Sequence, residues 1–203
     1  FWAAGTTGPL VLPGRYTVRL LVDGAPAGEA PFVVRKDPRS GATPADLVAQ
    51  YQLLMRIRDR TTDANDAVRT VRHVRTQAEA PRGAMGADSA QYAGLVGRLD
   101  ATISAIEAKV YQVKNQSGQD PLNFPIRVNN QIASLAGVVG STEARPTKPS
   151  YAVFDSLTTE LEVYLVELRA AWKALLPPID ALRRKHGHPA IEVKPADPRR
   201  TGA

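Results

Sequence analysis

Phe154, Leu157, Leu161, Leu165, Leu168, Trp172 and Leu175 recur every three or four positions along one stretch of the chain. That spacing places all seven on one side of an α-helix, and a stripe so apolar must be covered by other elements. With no cysteine to staple a small fold, the remaining sequence has to supply matching amphipathic segments. Upstream, Leu47, Leu54, Thr61 and Val68 recur at sevens, with Ile57, Ala64, Val71 and Ala78 between them, which predicts a long first helix. Thr43 as N-cap, Pro44 at the first helical position and Asp46 at the third suit its start. Its polar side holds Arg56, Arg58, Arg60, Arg69, Arg72 and Arg75, interleaved with Asp59, Asp63 and Asp66.

Pro81-Arg82-Gly83 interrupts the pattern, and Leu95, Leu99, Ile103, Ile106, Val110 and Val113 restart it. A second helix is expected to run to Asn115-Gln116-Ser117-Gly118, to match the first in length and to fold back on it as an antiparallel hairpin. Gly94 and Gly97 read as a point of close helix contact. Val128, Ile132, Leu135 and Val139 mark a shorter third helix ending near Gly140. In the last helix, Pro177-Pro178 is expected to end or kink the rod, because proline lacks an amide donor and opposes the α conformation before it. One or two terminal turns then close at Gly187. The fold class expected is mainly α: an up-down bundle of three long helices and one short helix over residues 45–187. Residues 188–203 contain Pro189, Pro195 and Pro198 and read as a flexible tail whose removal changes little.

A different period governs the first 36 residues. Tyr16, Val18, Leu20 and Val22 alternate with Arg15, Thr17, Arg19 and Leu21, and Ala30, Phe32 and Val34 resume the alternation after Asp23-Gly24. Two half-buried strands, 15–22 and 29–35, are expected to pair as a hairpin with a loop of several residues. A lone hairpin is marginal in water, so this one reads as the end of a truncated Ig-like β-sandwich whose earlier strands precede Phe1. Phe1 in place of Met points the same way, to a processed piece of a longer protein. Residues 37–44, polar and with Pro38 and Gly41, form the expected linker.

Reactive motifs are scarce. His186-Gly187-His188 has no cysteine or spaced third ligand beside it. Glu160, Glu162 and Glu167 lie on the last helix without the Glu-x-x-His pattern of bundle di-metal sites. Neither a nucleophile elbow, a phosphate-binding lysine loop nor a dinucleotide glycine fingerprint occurs. The sequence therefore offers no catalytic residue, no cofactor-binding residue and no metal ligand, and no cofactor is expected. Tyr151, Phe154, Tyr164 and Trp172 fall along the last helix and read as core packing, since Phe154 and Trp172 are in register with the leucines. Leu122, Asn123, Phe124 and Pro125 form an irregular apolar segment that either plugs the end of the bundle or presents a contact loop. The net charge of +6 is spread along the chain, which disfavours nucleic acid, whereas the arginines of the first helix leave an anionic surface open as a partner. No run is long and apolar enough to span a membrane.

Gly8-Pro9-Leu10-Val11-Leu12-Pro13-Gly14-Arg15-Tyr16-Thr17-Val18-Arg19-Leu20, with Val22-Asp23-Gly24 and Val34-Arg35-Lys36-Asp37-Pro38-Arg39, resembles the last strands of a FlgD-like Ig module. Residues 121–139 and 148–176 resemble the helical end of bacterial sortilin-like BNR/Asp-box β-propeller proteins, often labelled glycosyl hydrolases. The resemblance implies a secreted or periplasmic parent whose recognition chemistry lies in upstream propellers. The Ser-x-Asp-x-Gly-x-x-Trp propeller repeat is missing from these 203 residues, so the resemblance carries no catalytic residue onto them. The expected function is a non-catalytic structural or protein-contact module. Its expected partners are the upstream propeller and Ig-like domains of the same chain, with a separate protein partner left open. The alternative is an accessory part of a glycosyl hydrolase-like enzyme.

Overall fold

A computed structural model describes residues 8–195. They fold into an N-terminal antiparallel hairpin followed by four helices: β1 Gly14–Val22, β2 Ala25–Val34, α1 Pro44–Glu79, α2 Ser89–Val110, α3 Val128–Val139 and α4 Lys148–Lys185. The mainly-α bundle behind a hairpin is as the sequence periodicities predict.

The two longest helices, α1 and α4, are each started by side-chain chemistry at the N-terminal end. Thr43 Oγ1 accepts from the Asp46 amide at 3.2 Å while Asp46 Oδ2 accepts from the Thr43 amide at 3.0 Å, a reciprocal capping box with Pro44 in the first turn. Bonds from the Thr43 hydroxyl and amide, reinforced by Arg145, hold the Asp46 carboxyl down to about 2. Thr147 Oγ1 caps α4 in the same manner, accepting from the Ser150 amide at 3.3 Å.

α1 and α4 are the two full-length rods. The third column of the bundle is broken: α2 lies along the C-terminal half of α1 and α3 along its N-terminal half. Two apolar clusters record this division. Val71, Val74 and Ala78 of α1 pack with Tyr92, Val96, Leu99 and Ile103 of α2 and with Leu168, Leu176 and Ile179 of α4. Leu53, Ile57 and Ala64 of α1 pack with Val128, Ile132 and Leu135 of α3 and with Phe154 and Leu161 of α4. Gln50 fixes the lower end, donating from Nε2 to the carbonyls of Val139 at 2.7 Å and Thr142 at 2.6 Å. The second helix is thus shorter than its periodicity suggests, because two 3₁₀ turns, Arg82–Ala84 and Gly86–Asp88, occupy its expected start. At the other end, Tyr111 is already extended and leaves Val113 exposed.

Gly94 and Gly97 have open space where a Cβ would stand, so they mark no close helix contact. Their only role in α2 is conformational, and glycine costs a helix roughly 0.5 to 1 kcal/mol relative to alanine. Gly94→Ala and Gly97→Ala are therefore each expected to stabilise the protein by about that amount, measured as a shift in denaturation midpoint at constant slope.

Pro177 and Pro178 do not end α4, which continues to Lys185. Both prolines are exposed, as are Lys173 and Ala174, whose carbonyls lose their helical partners to water instead of to a dry core. Leu176 and Ile179 on either side are buried and tie the last turns to α1 and α2. The helix closes as a Schellman motif: Gly187 takes φ +76°, its amide bonds Arg184 O at 3.1 Å, and the His188 amide bonds Arg183 O at 2.8 Å.

The expected flexible tail is docked over its first part. Ile191 is buried in the α1–α2–α4 core and its amide donates to Asp180 Oδ1 at 2.9 Å. The Glu192 amide donates to Gln77 Oε1 at 2.9 Å, and Gln77 Nε2 returns a bond to Glu192 O at 3.0 Å. Residues 196–203 of that tail lie outside the described residues. Truncation after His188 removes Ile191 from the α1–α2–α4 core and the backbone bonds to Gln77 and Asp180. The expected loss is about 2 kcal/mol of unfolding free energy, read from denaturant melts against the full chain.

The hairpin differs from expectation in its turn. Asp23 and Gly24, at φ +50° and +80°, make a two-residue connection of the mirror-image type that matches strand twist. A bulge at Leu20/Leu21 then leaves Ala27 without a partner. Tyr16 and Phe32 stand opposite each other with ring centroids 5.8 Å apart. Neither strand contributes to the two bundle clusters, and Val18, Leu20 and Phe32 remain exposed on one face.

Candidate functional site

The residues singled out from sequence fall in three separate places. Leu122, Asn123, Phe124 and Pro125 belong to residues 111–127, the segment that bridges the break between α2 and α3 halfway up the bundle. They do not plug an end. Leu122 is 70% exposed, and Phe124 is half-buried with Lys114 Nζ 5.4 Å from its ring centre. The loop is braced from beneath by Gln112, which donates from Nε2 to Pro125 O at 2.8 Å. Asp120 ties its start, accepting from the Gln116 and Ser117 amides, and these bonds lower its carboxyl below the usual range.

Glu160, Glu162 and Glu167 point to different partners. Tyr164 Oη donates to Glu160 at 2.8 Å, which raises the phenol above its ordinary value. Glu162 accepts from Arg169 at 2.5 Å and Arg60 at 3.2 Å, and both bonds lower it. Lys109 donates to Glu167 at 2.8 Å. His186 sits by Asp88, its Nε2 2.8 Å from Oδ2, and Lys185 reaches the same oxygen at 2.6 Å. Lys185 first and His186 second hold the Asp88 carboxyl below its usual range. Among the described residues no three His, Cys, Asp or Glu gather as a metal site. No described helix is long and apolar enough to cross a membrane.

The arginines of α1 are committed to carboxylates. Arg56 meets Asp155, Arg58 meets Asp59, Arg60 meets Asp63 and Glu162, and Arg69 meets Asp66. Arg72 and Arg75 both reach Glu107, which is 4% exposed in the α1–α2 interface, at 2.7 and 2.9 Å. Burial works against the charge on Arg75, but its bonds to Asp100 and Glu107 outweigh that and raise its pKa. Pairs of this kind leave little unbalanced cation for an anionic surface, so the expectation of an arginine face on the first helix loses its ground.

No family model matches the chain, and neither a curated protein nor a solved structure does. The site must therefore be read from geometry alone. Among the described residues a shallow, open groove of about 470 Å³ lies between α1 and α4, lined by Ala67, Leu165, Leu168 and Trp172. Its rim is Arg60, Asp63, Asp66, Glu162 and Arg169, all engaged with one another or with neighbours, and Val193 and Pro195 border it.

Sequence reasoning missed Glu107 and Arg183. Both are charged residues on helix faces otherwise apolar at the matching heptad positions, which is the signal that marks them. Glu107 follows Ile106 and Ile103 in the buried stripe, and Arg183 lies one helical turn beyond Ile179.

Proposed function

We propose that the chain is a non-catalytic structural or protein-contact module at the C-terminal end of a secreted or periplasmic bacterial protein of the sortilin-like, BNR-repeat kind. Its hairpin is then the end of an Ig-like sandwich. The observation that carries this reading is the hairpin itself. On its apolar face Val18, Leu20 and Phe32 stay exposed, while the two bundle clusters are built from the helices without residues of either strand. Two exposed strands gain too little burial to stand alone, so something beyond residues 8–195 completes them. The partners on this reading are the upstream propeller and Ig-like domains of the same polypeptide.

A second reading draws on Leu122. An exposed apolar residue on a braced loop fits a lid over a substrate-bearing propeller, making the chain an accessory part of a glycosyl hydrolase-like enzyme. Assay of the longer polypeptide on sialosides and peptides, with and without residues 41–203, separates the two. The module reading expects unchanged kcat in the shortened protein, and a large loss of kcat with folding intact selects the accessory reading.

A further inference from the structure

The two edges of the hairpin are not equivalent. Pro31 stands opposite Thr17 and Pro26 opposite Leu21. Proline has no amide proton, so both pairs are of the non-hydrogen-bonded type, and the alternation of an antiparallel ladder then fixes every other position. On β1, the backbone groups of Arg15, Thr17, Arg19 and Leu21 face outward, an unbroken row of four donors and four acceptors. On β2 the corresponding outward row is Pro26, Glu29, Pro31 and Val33, in which every second donor is missing. A strand laid along β2 would leave acceptors unsatisfied at both prolines, each a loss comparable to an unmade hydrogen bond.

Side chains add a second asymmetry. Arg19 pairs with Glu29 across the ribbon, whereas Arg15 makes no ion pair among the described residues. Antiparallel pairing of β1 with β1 of a second copy centred on Thr17 would set Arg15 of one chain beside Arg19 of the other, like charges that cost stability, and any β1–β1 pairing leaves Arg15 without a carboxylate. A different strand, carrying a carboxylate beside Arg15, avoids both faults, and apolar residues on its opposite face extend the Tyr16, Val18 and Leu20 surface for a facing sheet to cover.

We infer that β1 is an interior strand and β2 the terminal edge of a larger sheet, which continues across β1 through such a strand from the preceding part of the same polypeptide. This rests on the sandwich reading above and adds to it which edge is joined and what the joining strand carries.

The test is amide hydrogen exchange, resolved to single residues by NMR, on the 203-residue chain and on the longer polypeptide. The expected result is that Arg15, Thr17, Arg19 and Leu21 slow on the order of 100-fold in the longer polypeptide, with Glu29 and Val33 unchanged. Slowing of Glu29 and Val33 in place of the β1 row overturns the edge assignment and leaves the sandwich reading standing. Exchange equally fast at both edges overturns the sandwich reading as well. Slowing of the β1 row already in the 203-residue chain, dependent on protein concentration, identifies a second copy as the occupant and overturns the inference.

Discussion

Replacing Leu161 by alanine is expected to lower the free energy of unfolding by about 2 to 5 kcal/mol. Leu161 is fully buried where α1, α3 and α4 meet, among Ile57, Ala64, Ile132 and Phe154. Three carbons removed there lose their transfer free energy, and the rods around them cannot collapse without dragging α3 off α1. The same substitution at Leu157 or Leu165, half-buried members of the same stripe, should cost clearly less, since water already reaches part of each side chain. Denaturant melts of the three variants check the ranking. A Leu161→Ala loss below 1 kcal/mol, or one no larger than at Leu157, would mean that the interior is loosely packed.

Arg183→Ala should be comparably damaging, for a reason unrelated to the hydrophobic stripe. Arg183 is 5% exposed and makes no ion pair among the described residues. Its Nε donates to Pro189 O at 2.7 Å and its Nη1 to Gln77 O at 2.6 Å, with Tyr92 Oη 3.4 Å away. Gln77 lies in the last turn of α1, whose final carbonyls have no helical partner, and Tyr92 Oη satisfies the next of them by donating to Ala78 O at 2.8 Å. A buried guanidinium is thus held by the negative end of a helix and by the returning chain at Pro189. Its removal leaves the half-buried carbonyls of Gln77 and Pro189 without this donor and releases the docked residues 189–192, an expected loss of about 2 to 4 kcal/mol. Arg183→Lys should recover only part of this, because an ammonium cannot reach Pro189 and Gln77 with one fork. Thermal and denaturant unfolding of the two variants and of Tyr92→Phe measure it. Near-wild-type stability of Arg183→Ala would show that the bonds to Gln77 and Pro189 carry no net weight.

The fold was largely legible because its core obeys one period. On α1 and α3 nearly every residue placed on the stripes by spacing alone is buried, from Leu47 to Ala78 and from Val128 to Val139, whereas Leu157, Leu165, Trp172 and Leu175 of the α4 stripe are half-buried. Less legible were features in which local rules yield to tertiary context. Pro177-Pro178 reads as a stop, yet flanking burial of Leu176 and Ile179 carries the helix through it. Ile191 reads as a lone apolar residue among prolines, and only the space between Gln77 and Asp180 explains why it docks. The break between α2 and α3 hid behind a periodicity that Val113 extends in sequence but not in space.

Candidate function was harder to read because no compact motif announces it. Glu162, Glu167 and His186, which invite a chemical reading, are drawn to Arg60 and Arg169, to Lys109 and to Asp88, and spacing within one helix cannot reveal a partner supplied by another. Glu107 shows the point. Its two arginines stand three apart on α1, 32 and 35 positions away, and only the α1–α2 packing brings them to one carboxylate.

Underlying all of this is a bundle whose stability owes nothing to the hairpin. Equilibrium unfolding of the fragment 41–195, followed both by helical circular dichroism and by the fluorescence of Trp172, its sole tryptophan, addresses that directly. The two signals should trace one cooperative transition at the same midpoint as in the full chain. Separate transitions, or a fragment that melts far below the parent, would contradict it and return the hairpin to the core.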